Sequence, residues 1–81
     1  MTIQVHFYSY FKELTGTERV MQELPDGSTL GELHRQLIVR FPKLEPMRKS
    51  TLLAVGVEYQ GLDHILQDTD EVSLFPPVQG G

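Results

Sequence analysis

The residues with the most chemistry to offer are the last seven, Phe75-Pro76-Pro77-Val78-Gln79-Gly80-Gly81. A carboxylate carried on Gly-Gly has no Cβ beside it, so this backbone is the thinnest available and takes torsions closed to other residues. It can enter a narrow catalytic channel. The carboxylate itself is a poor electrophile. Converted to a mixed anhydride with AMP, however, the unhindered Gly81 carbonyl is open to a sulfur or nitrogen nucleophile, and the chain can then carry a group. A frayed, glycine-tolerant chain end has the same composition, so the pair gains meaning only from what precedes it.

No other set of side chains reads as catalytic. Cysteine is absent, which removes disulfides, thiolate metal sites and a thiol nucleophile. His6, His34 and His64 fall on three different predicted elements. Asp63-His64 has no nucleophile to serve, and His34 has no second metal ligand nearby. Asp68, Asp70 and Glu71 lack EF-hand spacing and its glycine. No metal site is therefore expected. Neither a Gly-x-x-x-x-Gly-Lys-Ser/Thr phosphate loop nor Gly-x-Gly-x-x-Gly occurs. The chain should bind no cofactor, and ATP for any adenylation must be held by another protein.

The net charge of −4 argues against nucleic acid, which calls for a clustered basic face. All seven Lys and Arg residues lie at or before Lys49, whereas Glu58, Asp63, Asp68, Asp70 and Glu71 follow with no basic residue among them. Such an acidic segment suits solvation of a small protein or steering toward a basic docking surface. At 81 residues the chain is one domain, able to bury only about 60 to 65% of its unfolded surface. It has no basic-then-apolar leader and no apolar run near the ~20 residues of a membrane span. A soluble cytoplasmic protein is expected.

The elements that must position the C-terminus follow from periodicity. Ile3, Val5 and Phe7 alternate with Gln4, His6 and Tyr8, the period of a half-buried strand that turns His6 outward. Ser9 to Thr15 sets Phe11 and Leu14 three apart before Gly16, a short helix with a glycine C-cap. Thr17 to Leu24 is extended, and Pro25-Asp26-Gly27 is a turn. Thr29-Leu30-Gly31-Glu32 is a capping box with Thr29 at the N-cap. Behind it, Leu30, Leu33, Leu37, Ile38 and Phe41 form one stripe, and Pro42 ends the helix. Pro42 to Ser50 reads as a polar loop and Thr51 to Val57 as a central strand. Glu58 to Gln60 continues it, with Gly61 marking a turn or an extra edge strand. After the turn Asp68-Thr69-Asp70, Val72 and Leu74 share one strand face and Phe75 takes the other.

This order, ββαββ with one long helix, predicts an α+β roll in which a mixed sheet covers the helix and the first and last strands lie side by side at its centre. Proline donates no ladder hydrogen bond, so pairing should stop at Phe75. The chain then divides into a domain at 1–75 and an extended tail at 76–81. The tail reaches at most roughly 20 Å, stiff at its polyproline root and thin at its tip.

The sequence resembles the small, sulfur-carrying subunit of molybdopterin synthase, among the ubiquitin-like β-grasp proteins. The resemblance spans nearly the whole chain. It rests on Val5-His6-Phe7-Tyr8 leading into Phe11-Lys12-Glu13-Leu14-Thr15-Gly16, on the capped helix at Thr29, and above all on the run from Leu66 to Gly81. That run joins an acidic turn, a short strand, Phe75-Pro76-Pro77-Val78 and Gly80-Gly81.

The resemblance implies that a ubiquitin-activating-type enzyme adenylates Gly81 and that a sulfur relay displaces AMP to leave a thiocarboxylate. The tail, Phe75, Pro76, Pro77, Val78, Gln79 and Gly80, then docks the large synthase subunit. Two successive carriers would give cyclic pyranopterin monophosphate its dithiolene sulfurs. The carrier needs no catalytic side chain and is not an enzyme on its own. The alternatives are a thiamine-pathway carrier, disfavoured by the proline pair, a ubiquitin-like modifier that forms isopeptide bonds through Gly81, and an interaction module that binds peptides. Gln79 to Gly81 are expected to be mobile until a partner's channel orders them. Phe75 is expected either to anchor an interface or to cap the edge of the core. Three positions depart from the family pattern, which often has Arg at Lys12, Asn at Gly56 and Gly at Thr69. Thr69, being β-branched, should avoid positive φ and give a type I-like turn.

Overall fold

The computed structural model describes residues 1–77. Val78, Gln79, Gly80 and Gly81, and with them the expected mobility of Gln79 to Gly81, lie outside the described residues. In chain order the elements are β1 (Thr2–Phe7), α1 (Phe11–Thr15), β2 (Arg19–Glu23), α2 (Leu30–Arg40), a 3₁₀ helix (Pro42–Met47), β3 (Leu52–Val55), β4 (Glu58–Tyr59) and β5 (Glu71–Phe75). The strands form one five-stranded mixed sheet in the order β2-β1-β5-β3-β4. β1 and β5 run parallel at its middle, with Val5 opposite Val72 and Phe7 opposite Leu74. The sheet is thus the mixed α+β roll expected from the sequence, but its extra edge strand is β4 at Glu58–Tyr59, where the third strand was expected to continue, and not at Gly61.

The alternation in β1 places Ile3, Val5 and Phe7 inward, all at or near zero exposure, and β5 does the same with Val72 and Leu74. Leu30, Leu33, Leu37 and Ile38 of α2 close the core from the other side. Burying each such side chain stabilises the fold by about 1.5–3 kcal/mol. The capping box is complete: Glu32 N–H donates to Thr29 Oγ1 at 3.2 Å, and Thr29 N–H reaches Glu32 Oε1 at 3.4 Å. At the far end Phe41 leaves helical geometry with ψ 83° ahead of Pro42, as a residue before proline must.

Four local expectations are corrected. The first helix starts at Phe11, because Ser9 takes a left-handed φ of 57° as the chain reverses out of β1. Pro42 to Ser50 is not an open polar loop. Pro42 sits at the start of a 3₁₀ helix whose Leu44 is buried against the core. The third strand stops at Val55, where Gly56 (φ 62°) and Val57 turn the chain into β4. A left-handed position tolerates Gly and Asn alike, so Gly56 fits its place without loss. Thr69 does adopt positive φ, 70°, against the type I-like turn expected. Asp70 Oδ2 accepts the Gln67 N–H at 2.8 Å, Asp70 N–H donates to Gln67 O at 3.1 Å, and Asp68 Oδ1 accepts the Thr2 N–H at 3.0 Å. Hydrogen bonds on both sides of Thr69 over-determine its backbone against a preference of order 1–3 kcal/mol.

Candidate functional site

β5 presents Glu71, Ser73 and Phe75 on the outer face of the sheet, opposite the buried Val72 and Leu74. The ladder ends at Phe75, paired with Leu52 of β3, and Pro76 and Pro77 leave the sheet half-buried. On the other side, Tyr8 N–H donates to Leu74 O at 3.2 Å, continuing the parallel register one residue past β1. That bond brings the Tyr8 ring beside Phe75. The two stack with centroids 4.7 Å apart and planes 11° from parallel, and Tyr59 of β4 meets Phe75 edge-on at 6.2 Å and 75°. Tyr8 and Tyr59 are exposed. The last described strand therefore leaves the sheet through an aromatic patch built from β4, β5 and the residue just past β1.

The outer face changes character along the strands. Away from the prolines it is polar, with His6 Nε2 3.1 Å from Glu71 Oε1. Of the acidic residues after Lys49, Asp68 and Asp70 tie down the turn before β5 and Glu71 meets His6. The sequence gives each of them a charge; the fold gives these three a partner as well. Among the described residues no group of three His, Asp or Glu side chains could hold a metal ion.

Phe75 stands on the outer face as expected, outside the core and partly covered by two tyrosines. Pro76 and Pro77 stand where pairing stops. Val78, Gln79, Gly80 and Gly81 lie outside the described residues. Tyr8 and Tyr59 were missed as site residues. The signal for Tyr8 was its outward place in the alternation, one step past Phe7 on a strand expected beside β5. Tyr59 had no comparable signal, because a two-residue edge strand carries no periodicity.

His6 is on the sheet, His64 in the loop before β5, and His34 inside the protein on α2, 4% exposed with its Nε2 atom lacking a hydrogen-bond partner. Burial, and then the Arg48 guanidinium, push the His34 pKa below its ordinary 6.5, while Glu45 pulls the other way. At neutral pH the ring is uncharged.

The profile of the ThiS family matches residues 5–81. The molybdopterin synthase sulfur carrier subunit of Arabidopsis thaliana is 35% identical over 79 residues, covering 98% of this chain and 82% of that protein. Small archaeal modifier protein 3 of Haloferax volcanii is 30% identical over 92 residues, covering all of both. Among solved structures, a putative molybdopterin converting factor subunit 1 from Pyrococcus furiosus superposes with a TM-score of 0.89 at 27% identity, covering 96% of this chain and 99% of that one. A chain in the complex of subunits 1 and 2 of the molybdopterin-converting factor from Helicobacter pylori superposes with a TM-score of 0.71 at 26% identity, over the full length of both.

Proposed function

The chain belongs to the ThiS family, and on that premise we propose that it is the sulfur carrier subunit of a molybdopterin synthase, working in the cytoplasm with a large partner subunit. The observation that carries this reading is the exit of β5: the ladder stops at Phe75, and the prolines leave beside exposed aromatic rings. A domain at 1–75 would then serve as the handle and 76–81 as the arm. The Helicobacter pylori complex, in which a similar chain meets a second subunit, supports a docked state of this kind.

In this reading a ubiquitin-activating-type enzyme binds ATP and the acidic carrier together. The Gly81 carboxylate attacks the α-phosphate, pyrophosphate leaves, and a relayed sulfur displaces AMP to give the thiocarboxylate. Gly80 gives clearance, because no Cβ widens the tail there. Val78 and Gln79 span the channel, and Phe75, Pro76 and Pro77 set the angle of entry. In the large subunit the anionic sulfur is an exposed nucleophile. It bonds to cyclic pyranopterin monophosphate, and water then cleaves the Gly81 acyl–sulfur bond, leaving one dithiolene sulfur per carrier on the pterin and a carboxylate on Gly81. No side chain of this chain takes part in the chemistry; its contribution is binding and delivery.

A second reading is favoured by the likeness to a small archaeal modifier protein: the activated Gly81 carbonyl is captured by a lysine amine as an isopeptide. One measurement separates the two. Co-expressed with its cognate activating enzyme and weighed intact, a carrier gains the mass of one sulfur less one oxygen, and a modifier appears as lysine-linked conjugates. An unmodified chain under conditions that activate a known carrier would rule out both.

A further inference from the structure

We propose that the cleft between α2 and the β3–β4 hairpin binds a small organic anion, an apolar or planar body bearing one phosphate or carboxylate group. The cleft holds about 580 Å3, within the ~300–1,000 Å3 of small-molecule sites. It opens between elements that precede the Gly81 arm and shares only Tyr59, at its border, with the aromatic patch beside Phe75.

Its lining divides by chemistry. Arg35 comes from α2, and Arg48 and Lys49 from the turn after the 3₁₀ helix. Three of the seven basic residues of a chain with net charge −4 thus converge on one concavity. Arg48 is held by Glu45 at 2.9 Å, while Arg35 and Lys49 have no ion pair among the described residues. Between the cations, Ile38, Leu52 and Leu53 supply apolar surface, and Tyr59 offers a ring at the border. Cations with unused hydrogen bonds beside an apolar wall recognise a molecule that is charged at one end and greasy at the other.

His34 is the second, independent sign. It belongs to the same lining, is 96% buried as a residue, and its Nε2 is the buried side-chain polar atom left without a partner among the described residues. Buried polar atoms are ordinarily paired, and an exception calls for an absent partner. An uncharged imidazole can donate one N–H to an anionic oxygen, and a small shift of the side chains covering Nε2 would let it join Arg35 and Lys49, the two lining cations without an ion pair among the described residues.

The cleft is also fixed in shape on one side. Gly31 N–H donates to Leu62 O at 2.8 Å and Leu30 N–H to His64 O at 2.8 Å, which straps the loop after β4 onto the first turn of α2. These bonds hold one wall of the cleft in place, while the side chains over His34 Nε2 must shift for a ligand to reach it.

The test uses the full chain, 15N-labelled, titrated with phenyl phosphate, phenylacetate, inorganic phosphate and benzyl alcohol. Saturable amide shifts at Gly31 to Arg35 and Arg48 to Leu53 with at least one aryl anion are expected. Inorganic phosphate and benzyl alcohol should each bind about tenfold or more weakly, since each lacks half of the recognised molecule. The stronger aryl anion names the headgroup. The double variant Arg35→Gln/Lys49→Gln changes two exposed side chains and should keep its melting temperature while losing about tenfold in affinity. Absence of saturable shifts with both aryl anions overturns the assignment, as does inorganic phosphate binding equally well or an unchanged affinity in a folded double variant. Shifts at these amides with a hexaglutamate peptide and with neither aryl anion would also overturn it and give the surface to a protein partner.

Discussion

At the scale of single residues, Phe75 and His34 show how position decides what a side chain is for. Phe75 ends the central strand on the outer face, stacked on Tyr8 and met edge-on by Tyr59 rather than packed in the core. Phe75→Ala should therefore cost the fold little and partner binding much. A loss of about tenfold or more in affinity for the large subunit is expected, the range of an aromatic hot spot, with a thermal midpoint close to the parent's. Titration calorimetry with the purified large subunit reads the first and a melting curve the second; equal affinities would sink the docking role. His34 works inward. Its folded pKa lies below the 6.5 of the free side chain, chiefly through burial, with Arg48 adding to the effect and Glu45 opposing it. The unfolded chain then binds the proton more readily, so stability should be full above pH 6.5 and fall as the pH drops from there toward the folded value. Urea midpoints at pH 7.5 and 5.5 measure this, and His34→Leu should flatten the dependence.

At the scale of elements, what was legible in the sequence was what is local. The capping box at Thr29 needs only residues three apart, and the stop at Phe75 needs only the missing N–H of Pro76. Both stand as read. The 3₁₀ helix was not legible: two prolines and four charged residues between Pro42 and Ser50 look like a loop, and the buried Leu44 matters only once α1 and α2 are in place around it. Thr69 was misread because its conformation is imposed by Asp68, Asp70 and a strand from the other end of the chain. The aromatic patch and the cationic cleft were illegible for the same reason, since each collects side chains from elements distant in sequence. Gly31 shows the conflict of local and non-local demands most sharply. Alanine is the better helix former by up to about 1 kcal/mol, yet a Cβ there would lie 3.1 Å from Leu62 O and 3.2 Å from Leu62 Cβ. Gly31→Ala should lower stability by about 1 kcal/mol, an overpacking cost of about 2 kcal/mol offset by about 1 kcal/mol of helix propensity, because the strap to the loop must stretch. Denaturant midpoints decide it, and a stabilised variant would show that the loop yields freely.

At the scale of the whole molecule, handle and arm make separable demands. Adding one tryptophan after Gly81 should leave the circular dichroism spectrum and melting curve unchanged while abolishing thiocarboxylation, because the indole cannot follow glycine into a narrow channel. Retained sulfur transfer by that extended chain would overturn the mechanism. The sheet order imposes a further condition on the handle. β1 is made first, and its parallel neighbour β5 comes more than sixty residues later. Chains are synthesised at ~5–20 residues per second, so β1 waits several seconds with one edge unpaired. Only β2 can cover it in the meantime. The two halves of the sheet are joined solely through β5, which makes the strand at the root of the arm also the keystone of folding. A nascent or truncated chain that lacks β5 has neither a joined sheet nor an arm, so the activating enzyme proposed above, if it grips the folded handle, would receive only finished molecules.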